Sequence, residues 1–266
     1  MRVLIVSAFK DRGGASIAAK RLFTSLKKEI DCQMLVQDIN VEYLMLSCNE
    51  NLLIRLVNFI TNYLEELYLR LINKPKHNFS FSFFGSLSIV RMINNFNADI
   101  VNLHWVCNNT LSISDVKKIN APIVWTLHDN WPFSDGTHTI SPIKKNTTYV
   151  YPDINKNDSW FLHKKRLFDL KNNLYIVGPS RWIASKSKSS LIMKDRKHFH
   201  IPNPINADEF RPLSECNFKK KFNIDENSKL ILFGANNPFT DANKGFSLLM
   251  QALDKIKTPN SRLVIY

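Results

Sequence analysis

Two histidines stand where predicted strands end, and one of them is followed by an aspartate. His104 closes the run ADIVNLH over 98–104, and the pair His128-Asp129 follows the run IVWTL over 123–127. The carboxyl ends of neighbouring parallel strands in an open α/β sheet form a crevice that binds ligands. A single histidine at such a place is more often structural. Two at neighbouring strand ends leave a ligand site and a structural role equally open.

Glycines are scarce, and four of the seven lie at two predicted turns between a strand and a helix. Gly13-Gly14 follows the first apolar run, while Gly234 and then Lys244-Gly245 precede the last predicted helix. Backbone N–H groups in such turns, helped by the positive end of the next helix, can hold a phosphate. Neither a GxGxxG fingerprint nor a P-loop occurs. These positions are therefore candidate diphosphate contacts, with an ordinary turn as the alternative.

Metal ligands are not grouped at the expected spacings. No carboxylate or second histidine follows His104 or His128 at ligand spacing, and His198 and His200 share one face of a strand without further ligands. The cysteines, at positions 32, 48, 107 and 216, include no CxxC pair. We therefore expect no metal and no resident cofactor.

Strands and helices alternate along the chain, which predicts an open, doubly wound parallel sheet of the α/β class. Predicted strands lie at Arg2–Phe9, Cys32–Val36, Ala98–His104, Ile123–Leu127, Leu174–Val177, His198–Pro202, Leu230–Phe233 and Leu263–Tyr266. Predicted helices lie at Ala15–Lys28, Leu52–Ile72, Leu87–Asn95, Ser112–Lys118, Trp160–Leu170, Phe218–Phe222 and Phe246–Ile256, with one more after Ser180 as N-cap. Residues 73–84 and 134–158 lack periodicity, and we expect the second stretch to be a long surface loop.

The long helix predicted at Leu52–Ile72 is strongly amphipathic. Its apolar positions are Leu52, Leu53, Leu56, Ile60, Tyr63, Leu64, Leu67 and Leu71. Packing of this face into the core is favoured over a membrane-surface or partner role, because Glu65 and Glu66 dilute any basic polar face.

The chain is basic, with a net charge of +13 at pH 7. Residues 141–221 hold 17 lysines and arginines against 7 acidic residues, in groups such as Lys164-Lys165-Arg166. A surface of this kind attracts nucleic acid, anionic lipid or phosphorylated substrates, unless it is only a solvated basic face. It contains no nucleic-acid-binding motif.

The length of 266 residues is long for one ordinary domain and short for two large ones. A proline-bearing aperiodic stretch at Asn203–Glu215 reads as a linker, which predicts a first domain over 1–205 and a linker with a partial second domain over 206–266. No apolar window approaches the roughly 18 residues of a membrane span, and the first apolar run lacks a cleavage site. We expect a cytoplasmic protein, with a peripheral position on the inner face of the cytoplasmic membrane as the second expectation.

Several motifs follow one another along nearly the whole chain: GGAS…AAKRL, DIVNLHWV, WTLHDNWPFSDGTH, VGPSRWIASKSKSSL, HIPNPINADEFRP and FGA…KGF. Their order resembles bacterial glycosyltransferase family 4, in particular enzymes of the colanic-acid, O-antigen and exopolysaccharide type. The resemblance implies the GT-B fold, in which two Rossmann-like domains face a cleft, with the acceptor mainly on the first and a nucleotide-sugar donor mainly on the second. It also implies transfer that retains anomeric configuration and needs no metal.

The resemblance assigns roles to matching positions. Gly13 and Gly14 match the glycine loop near the donor diphosphate, His128 the histidine that touches the transferred sugar, and Lys244, in the pair with Gly245, the lysine that neutralises the leaving group. His104 and Asp129 remain candidate substrate contacts from their strand-end positions. The implied partners are a nucleotide-sugar and a glycan or polyprenyl-diphosphate-linked acceptor, with peripheral contact to anionic inner-membrane lipid and no nucleic acid.

The expected function is therefore that of a hexosyltransferase-like enzyme of bacterial surface polysaccharide biosynthesis. The family's E-x7-E element would fall beyond Tyr266, and an arginine usual in the family falls at Ala235. We accordingly expect a truncated, inactive or impaired chain. Two other classes stay open: a non-catalytic module that binds an acceptor, a phosphate or an anionic membrane, and, on charge alone, a nucleic-acid-binding protein.

Overall fold

The computed structural model describes residues 1–42, 44–48, 51–74, 78–140, 143–145, 148–150, 159–212, 218–235, 239, 241–255 and 261–265. The chain divides into two compact units, Met1–Asn206 and Ala207–Tyr266. Cys216 lies outside the described residues. So do Ile256, the last residue of the predicted helix Phe246–Ile256, and Tyr266, the last residue of the predicted strand Leu263–Tyr266.

The first unit is built on a seven-stranded sheet in which every pair of neighbouring strands is parallel. Its strands are β1 (Arg2–Val6), β2 (Asp31–Val36), β3 (Met45–Ser47), β4 (Ile100–Leu103), β5 (Ile123–Thr126), β8 (Leu174–Gly178) and β9 (Lys197–His200), and a separate antiparallel hairpin consists of β6 (Ile143–Lys145) and β7 (Thr148–Val150). The helices are α1 (Gly13–Leu26), α2 (Leu52–Leu71), α3 (Ile89–Phe96), α4 (Ile113–Lys118), α5 (Ser159–Asp169) and α6 (Arg181–Ser189).

The strand order β3-β2-β1-β4-β5-β8-β9 reverses direction between β1 and β4. The short apolar runs form strands because both faces of the sheet are covered, so that Leu4, Ile5, Val101 and Ile123 are fully buried. A doubly wound sheet binds ligands where the order reverses, outside the carboxyl ends of the strands. The ends of β1 and β4 therefore mark the place to search for a site.

Two sequence-based expectations for this unit are wrong. The stretch 134–158 is not simply a surface loop, because Ser134, Asp135 and His138 are buried and the β6–β7 hairpin lies within it. A 3₁₀ turn, Trp131–Phe133, precedes it. Residues 141, 142, 146, 147 and 151–158 of this stretch lie outside the described residues.

The apolar face of α2 is also not packed in the core. Its eight predicted core residues are between 44% and 73% exposed. The residues that face inward are mostly polar, with Asn58, Glu65 and Leu69 buried. Hydrogen bonds hold this polar face, including Asn58 Nδ2 to Ser86 Oγ at 3.4 Å and two backbone amides to Glu65. Among the described residues, no helix has both the length and the apolar character that crossing a membrane requires.

The second unit contains β10 (Lys229–Phe233) paired in parallel with β11 (Ser261–Ile265), and the helices α7 (Phe218–Lys221) and α8 (Phe246–Leu253). The Phe246 ring contacts those of Phe233 and Phe239, with centroids 5.6 and 4.8 Å apart. Residues Asn203–Pro212, which include the boundary between the units, contain no helix or strand. Positions 213–215 of the predicted linker lie outside the described residues.

Candidate functional site

The ends of β1, β4 and β5 lie side by side at the point where the strand order reverses. Ala8, just after β1, donates its N–H to the carbonyl of Trp105, just after β4, at 2.8 Å. The rings of Phe9 and Trp105 stack with centroids 6.0 Å apart. The predicted strand-end residues His104, His128 and Asp129 therefore lie in one region of the first unit.

His104 and His128, which the sequence places at the ends of neighbouring strands, are in direct contact. Nδ1 of His104 lies 2.8 Å from Nε2 of His128, and the two rings stack at a centroid distance of 5.0 Å. His104 is fully buried, and its Nε2 lies 2.9 Å from Oδ1 of Asn102 on β4. His128 is half-buried at the edge of this cluster.

The surrounding hydrogen bonds fix which nitrogen of each histidine carries the proton. Asn102 Nδ2 donates to the Val124 carbonyl at 2.8 Å and to Thr126 Oγ1 at 3.1 Å, so Asn102 Oδ1 faces His104 as an acceptor. A neutral His104 then donates from Nε2 to Asn102 and accepts at Nδ1 from His128 Nε2–H. Nδ1 of His128 is left as an acceptor without a hydrogen-bond partner in the described part of the chain.

Burial keeps both rings neutral. Desolvation lowers the pKa of His104 well below its ordinary value, and the neighbouring His128 lowers it further. Desolvation also lowers the pKa of His128 to about 4, against an opposing effect of Asp129. A neutral imidazole with a free acceptor nitrogen suits a hydroxyl group rather than a phosphate.

Asp129 organises the rim of the site. Its Oδ2 accepts from Trp105 Nε1 at 2.9 Å and contacts His138 Nδ1 at 2.6 Å, and its Oδ1 accepts from the Trp131 N–H at 3.0 Å. The aspartate predicted from the strand end therefore holds three groups in place. His138 and Asn102 were not predicted, because neither stands at a recognisable motif spacing.

Ser80, His138 and Asp129 form a serine–histidine–aspartate array, with Ser80 Oγ 2.5 Å from His138 Nε2. Nucleophilic catalysis by such an array also needs backbone N–H donors for the oxyanion. The nearby amides are occupied: the Phe81 and Ser82 N–H groups donate to Glu65, and the Ser80 N–H donates to the Gly136 carbonyl. The array therefore acts as a structural clamp between two loops.

A cavity of about 320 Å³ adjoins this rim, and its described lining residues all belong to the first unit. Its lining residues are Asn62, Glu65, Ser80, Trp105, Asn108, Asp129, His138 and Thr139. Trp105 and Asp129 also border the small space beside His104 and His128. The polar inner face of α2 thus forms one wall of a cavity next to the histidine pair.

Lys164 on α5 is fully buried and holds the 131–134 turn. Its Nζ donates to the carbonyls of Trp131 and Ser134 and lies 4.0 Å from the centroid of the Trp131 ring. Desolvation lowers the pKa of Lys164 to about 7, although Cys107, Asp129 and Asp135 oppose this. This residue of the predicted basic surface is therefore not on the surface.

The predicted glycine loop begins α1. Gly13 has φ +79°, a left-handed conformation that favours glycine, and a Cβ built at Gly13 or Gly14 meets no atom within 4 Å. In this fully described stretch, the side chain of Arg12 makes no capping hydrogen bond, and the first turn holds no acidic residue. The first amides of a 14-residue helix are thus open to an anion.

The other predicted pair, Lys244-Gly245, lies in the second unit at the start of α8. Gly245 has φ +74° and precedes the first residue of the helix. Lys244 Nζ lies 3.8 Å from Asp241 Oδ2, and its side chain is 41% exposed. Among the described residues, no group of three or more histidine, cysteine, aspartate or glutamate side chains is placed to hold a metal ion.

A family model described as Glycosyltransferase Family 4 matches residues 55–209, which include most of α2, the histidine pair and Asp129. The chain belongs to glycosyltransferase family 4. A comparison with curated proteins gave no match.

Solved glycosyltransferase structures share the fold of this family 4 chain. Alr3699/HepE from Anabaena, solved with UDP and glucose and also with UDP-glucose, has TM-scores of 0.53 at 12% and 11% identity. All of this chain is covered, and it spans 60% of the length of the HepE chain. A glycosyltransferase from Rickettsia africae ESF-5 has a TM-score of 0.54 at 13% identity over 99% of this chain and 68% of its own. The predicted α/β fold of the GT-B type is confirmed.

Proposed function

We propose that this family 4 chain transfers a sugar from a nucleotide-sugar to a glycan or lipid-linked glycan in bacterial surface polysaccharide biosynthesis. The observation that carries the proposal is the open amino end of α1 on the same sheet edge as a neutral histidine pair. A sugar diphosphate carries an anion at one end and sugar hydroxyl groups at the other. The first amides of α1 can bind the anion, and a neutral histidine can accept a hydrogen bond from a hydroxyl. HepE was solved with UDP and glucose, which supports a nucleotide-sugar donor.

The diphosphate would lie against Gly13 and Gly14. With no side chain on either residue, the phosphate oxygens can approach the first amides of α1, where the helix dipole favours negative charge. In the second unit, Lys244 would add a positive charge to the leaving group, as the resemblance to the family implies. Stabilising charge on the departing phosphate lowers the barrier to breaking the sugar–phosphate bond.

His128 would accept a hydrogen bond from a hydroxyl of the transferred sugar through Nδ1. The acceptor oxygen then bonds to the anomeric carbon on the face from which the phosphate departs, and its proton passes to a phosphate oxygen of the leaving group. Configuration is thereby retained. In this mechanism His128 orients the sugar and does not act as a base, consistent with a pKa lowered to about 4. Retention and metal independence rest on the family resemblance.

Substituting Gly14 with alanine tests the donor site. Gly14 lies within the first turn of α1, where an added Cβ meets no protein atom. Alanine favours the helix, so we expect the free energy of unfolding to stay equal or rise by up to about 1 kcal/mol. The same methyl group blocks the approach of a diphosphate, so UDP affinity, measured by titration calorimetry, should fall at least about tenfold.

The exposed residue Thr24, near the other end of α1, provides the control. Thr24→Ala should leave UDP affinity unchanged. UDP binding by wild type that Gly14→Ala does not weaken would contradict this position for the diphosphate. Release of UDP from a nucleotide-sugar, followed with an added glycan acceptor, then tests transfer itself.

A peripheral membrane position is favoured by α2, whose apolar residues face solvent along 20 residues. Phe83, Phe84 and Leu87, which follow α2 in sequence, are exposed as well. A helix with an apolar outer face in a chain of net charge +13 suits the surface of an anionic bilayer. We therefore propose that the acceptor is lipid-linked and that α2 lies on the inner face of the cytoplasmic membrane.

A further inference from the structure

The loop formed by residues 129–138 encloses the end of a lysine side chain. Lys164, on α5, is fully buried. Its Nζ donates to the carbonyls of Trp131 and Ser134 and lies 4.0 Å from the centroid of the Trp131 ring. Carbonyl oxygens and the face of an aromatic ring are the groups that hold an ammonium ion inside a protein. Lys164 therefore serves as an internal cation for the 129–138 loop.

The same loop carries the two rim residues Asp129 and His138 at its ends. The Asn130 N–H donates to the His138 carbonyl at 2.9 Å, which joins the two ends of the loop. Asp129 Oδ2 lies 2.6 Å from His138 Nδ1 and accepts from Trp105 Nε1 at 2.9 Å. The geometry of the rim thus depends on how the loop between these residues is held.

Trp131 connects the lysine to both rim residues. Its carbonyl accepts from Lys164, and its N–H donates to Asp129 Oδ1 at 3.0 Å. Its indole Nε1 donates to the Ser80 carbonyl at 2.8 Å, and Ser80 Oγ lies 2.5 Å from His138 Nε2. A displacement of Trp131 would therefore change the contacts of Asp129 and His138 together.

Burial and neighbouring charges act on Lys164 in opposite directions. Among the described residues, three titratable groups on other elements interact with its charge: Cys107, Asp129 and Asp135. Burial raises the pKa of Cys107 well above its ordinary value, so the two carboxylates supply the negative charge. Desolvation has the larger effect and lowers the pKa of Lys164 to about 7. On α5 itself, the adjacent His163 and Lys165 are not buried. Lys164 therefore exchanges its proton near neutral pH, inside the loop that carries the rim.

We propose that Lys164 is a positioning residue, whose ammonium group holds the rim of the site in place and whose loss of a proton releases it. On deprotonation the side chain loses its charge and one of its three N–H donors, so its hold on the loop weakens. Asp129 directly follows His128, so a shift of the loop also displaces His128. The inference rests on the proposed function and deepens it: sugar transfer becomes less efficient as the pH rises above neutrality, because a displaced group orients its substrate poorly.

The indole N–H resonance of Trp105 tests the proposal in the full chain without any substrate. Trp105→Phe assigns the resonance. In wild type we expect its chemical shift to change with pH, with a midpoint at about pH 7. Trp105 donates to Asp129, so a change in its resonance shows that the effect of the proton reaches the rim. A Trp105 resonance that stays constant between about pH 6 and about pH 8.5 would overturn the proposal.

A second buried lysine provides a matched comparison. Lys171 Nζ also donates to two carbonyls, those of Ile119 and Ala121. Lys164→Met and Lys171→Met each remove two such hydrogen bonds, so a general loss of stability should affect both variants. Only Lys164→Met should abolish the change of the Trp105 resonance with pH. In Lys164→Arg, which keeps its charge throughout this range, the resonance should stay at the position that wild type shows at low pH.

Two results for these variants would contradict the proposal. A pH-dependent Trp105 resonance that persists in Lys164→Met and Lys164→Arg would assign the proton to another group, such as His138. Loss of the pH dependence in Lys171→Met as well would show a general effect of stability. The wild-type measurement and Lys164→Arg keep the test decisive if Lys164→Met does not fold.

Sugar transfer distinguishes this proposal from the proposed function. In wild type, kcat/KM should fall above about pH 7, and at about pH 6.5 it should be at least about tenfold lower in Lys164→Met. UDP affinity should be unchanged in this variant, because the diphosphate is proposed to bind at α1. The expected Trp105 behaviour in a chain that releases no UDP would support the role of Lys164 and count against transfer. Transfer by Lys164→Met with the wild-type pH profile would support the enzyme and overturn the role of Lys164.

Discussion

At the scale of single residues, Asn102 decides what His128 can bind. Because the Asn102 amide is fixed by the Val124 carbonyl, its oxygen makes His104 donate from Nε2, and His104 in turn makes His128 donate from Nε2. We predict that ¹⁵N NMR of the imidazoles shows the Nε2–H tautomer for both rings. Since burial lowers the pKa of His128 to about 4, neither ring should gain a proton between about pH 6 and about pH 8.

Asn102→Leu removes the acceptor that orders the pair, so we expect a mixture of tautomers at His128. Thr126→Val is the matched control, because it removes one partner of the Asn102 amide and leaves the bond to the Val124 carbonyl. It should keep the wild-type tautomer. A wild-type His128 that carries its proton on Nδ1, or Asn102→Leu spectra identical to wild type, would refute the relay.

The sequence could predict His104 and His128, because strand ends in a parallel sheet are recognisable from apolar runs. It could not predict Asn102 or His138. Asn102 lies within a buried strand, where polar side chains are rare but carry no motif, and His138 meets Asp129 only after the chain has turned through Trp131–Phe133. Contacts of this kind depend on loop conformation, which periodicity does not report.

At the scale of elements, α2 shows that amphipathicity gives the period of a helix without giving its orientation. The usual rule places the apolar face in the core. In α2 the polar face is the inner one, because Asn58, Thr61 and Glu65 hydrogen-bond to buried groups. Asn62 and Glu65 of the same helix line a polar cavity. The helix was therefore predicted correctly and its packing was not.

We predict that α2 mediates binding to anionic vesicles. Leu56→Gln combined with Phe59→Gln replaces side chains that are 53% and 70% exposed, so folding should be little affected. Each removes apolar area from a membrane contact, and together they should lower partitioning at least about tenfold. Co-flotation with vesicles of phosphatidylglycerol and phosphatidylcholine measures this.

Ile39→Gln combined with Leu170→Gln, at residues 50% and 59% exposed outside α2, is the control and should bind like wild type. Salt should weaken the binding only in part, since screening acts on charge and not on apolar burial. Equal flotation of both double variants would refute a membrane role for α2.

At the scale of the molecule, the sheet could be predicted because its strands are short apolar runs separated by amphipathic helices. β3 and the β6–β7 hairpin could not, because three-residue strands are too short to show a period. The basic composition also did not predict which lysines and arginines lie on the surface. Lys164 belongs to a run of basic residues, but it is buried because its Nζ donates to two carbonyls of the turn that carries Trp131.

Lys164 should therefore set part of the pH dependence of stability. Its pKa is about 7 in the folded chain and 10.5 by reference, so between these values the unfolded chain holds a proton that the folded chain lacks. The free energy of unfolding then rises with pH across this window, by about 1.4 kcal/mol per pH unit from this residue.

In Lys164→Met this contribution disappears, while other titrating groups contribute equally to both proteins. Urea unfolding at about pH 7.5 and about pH 9.5 should show the wild type gaining on the order of 2 kcal/mol more than the variant. Parallel pH profiles would show that Lys164 keeps its proton in the folded chain.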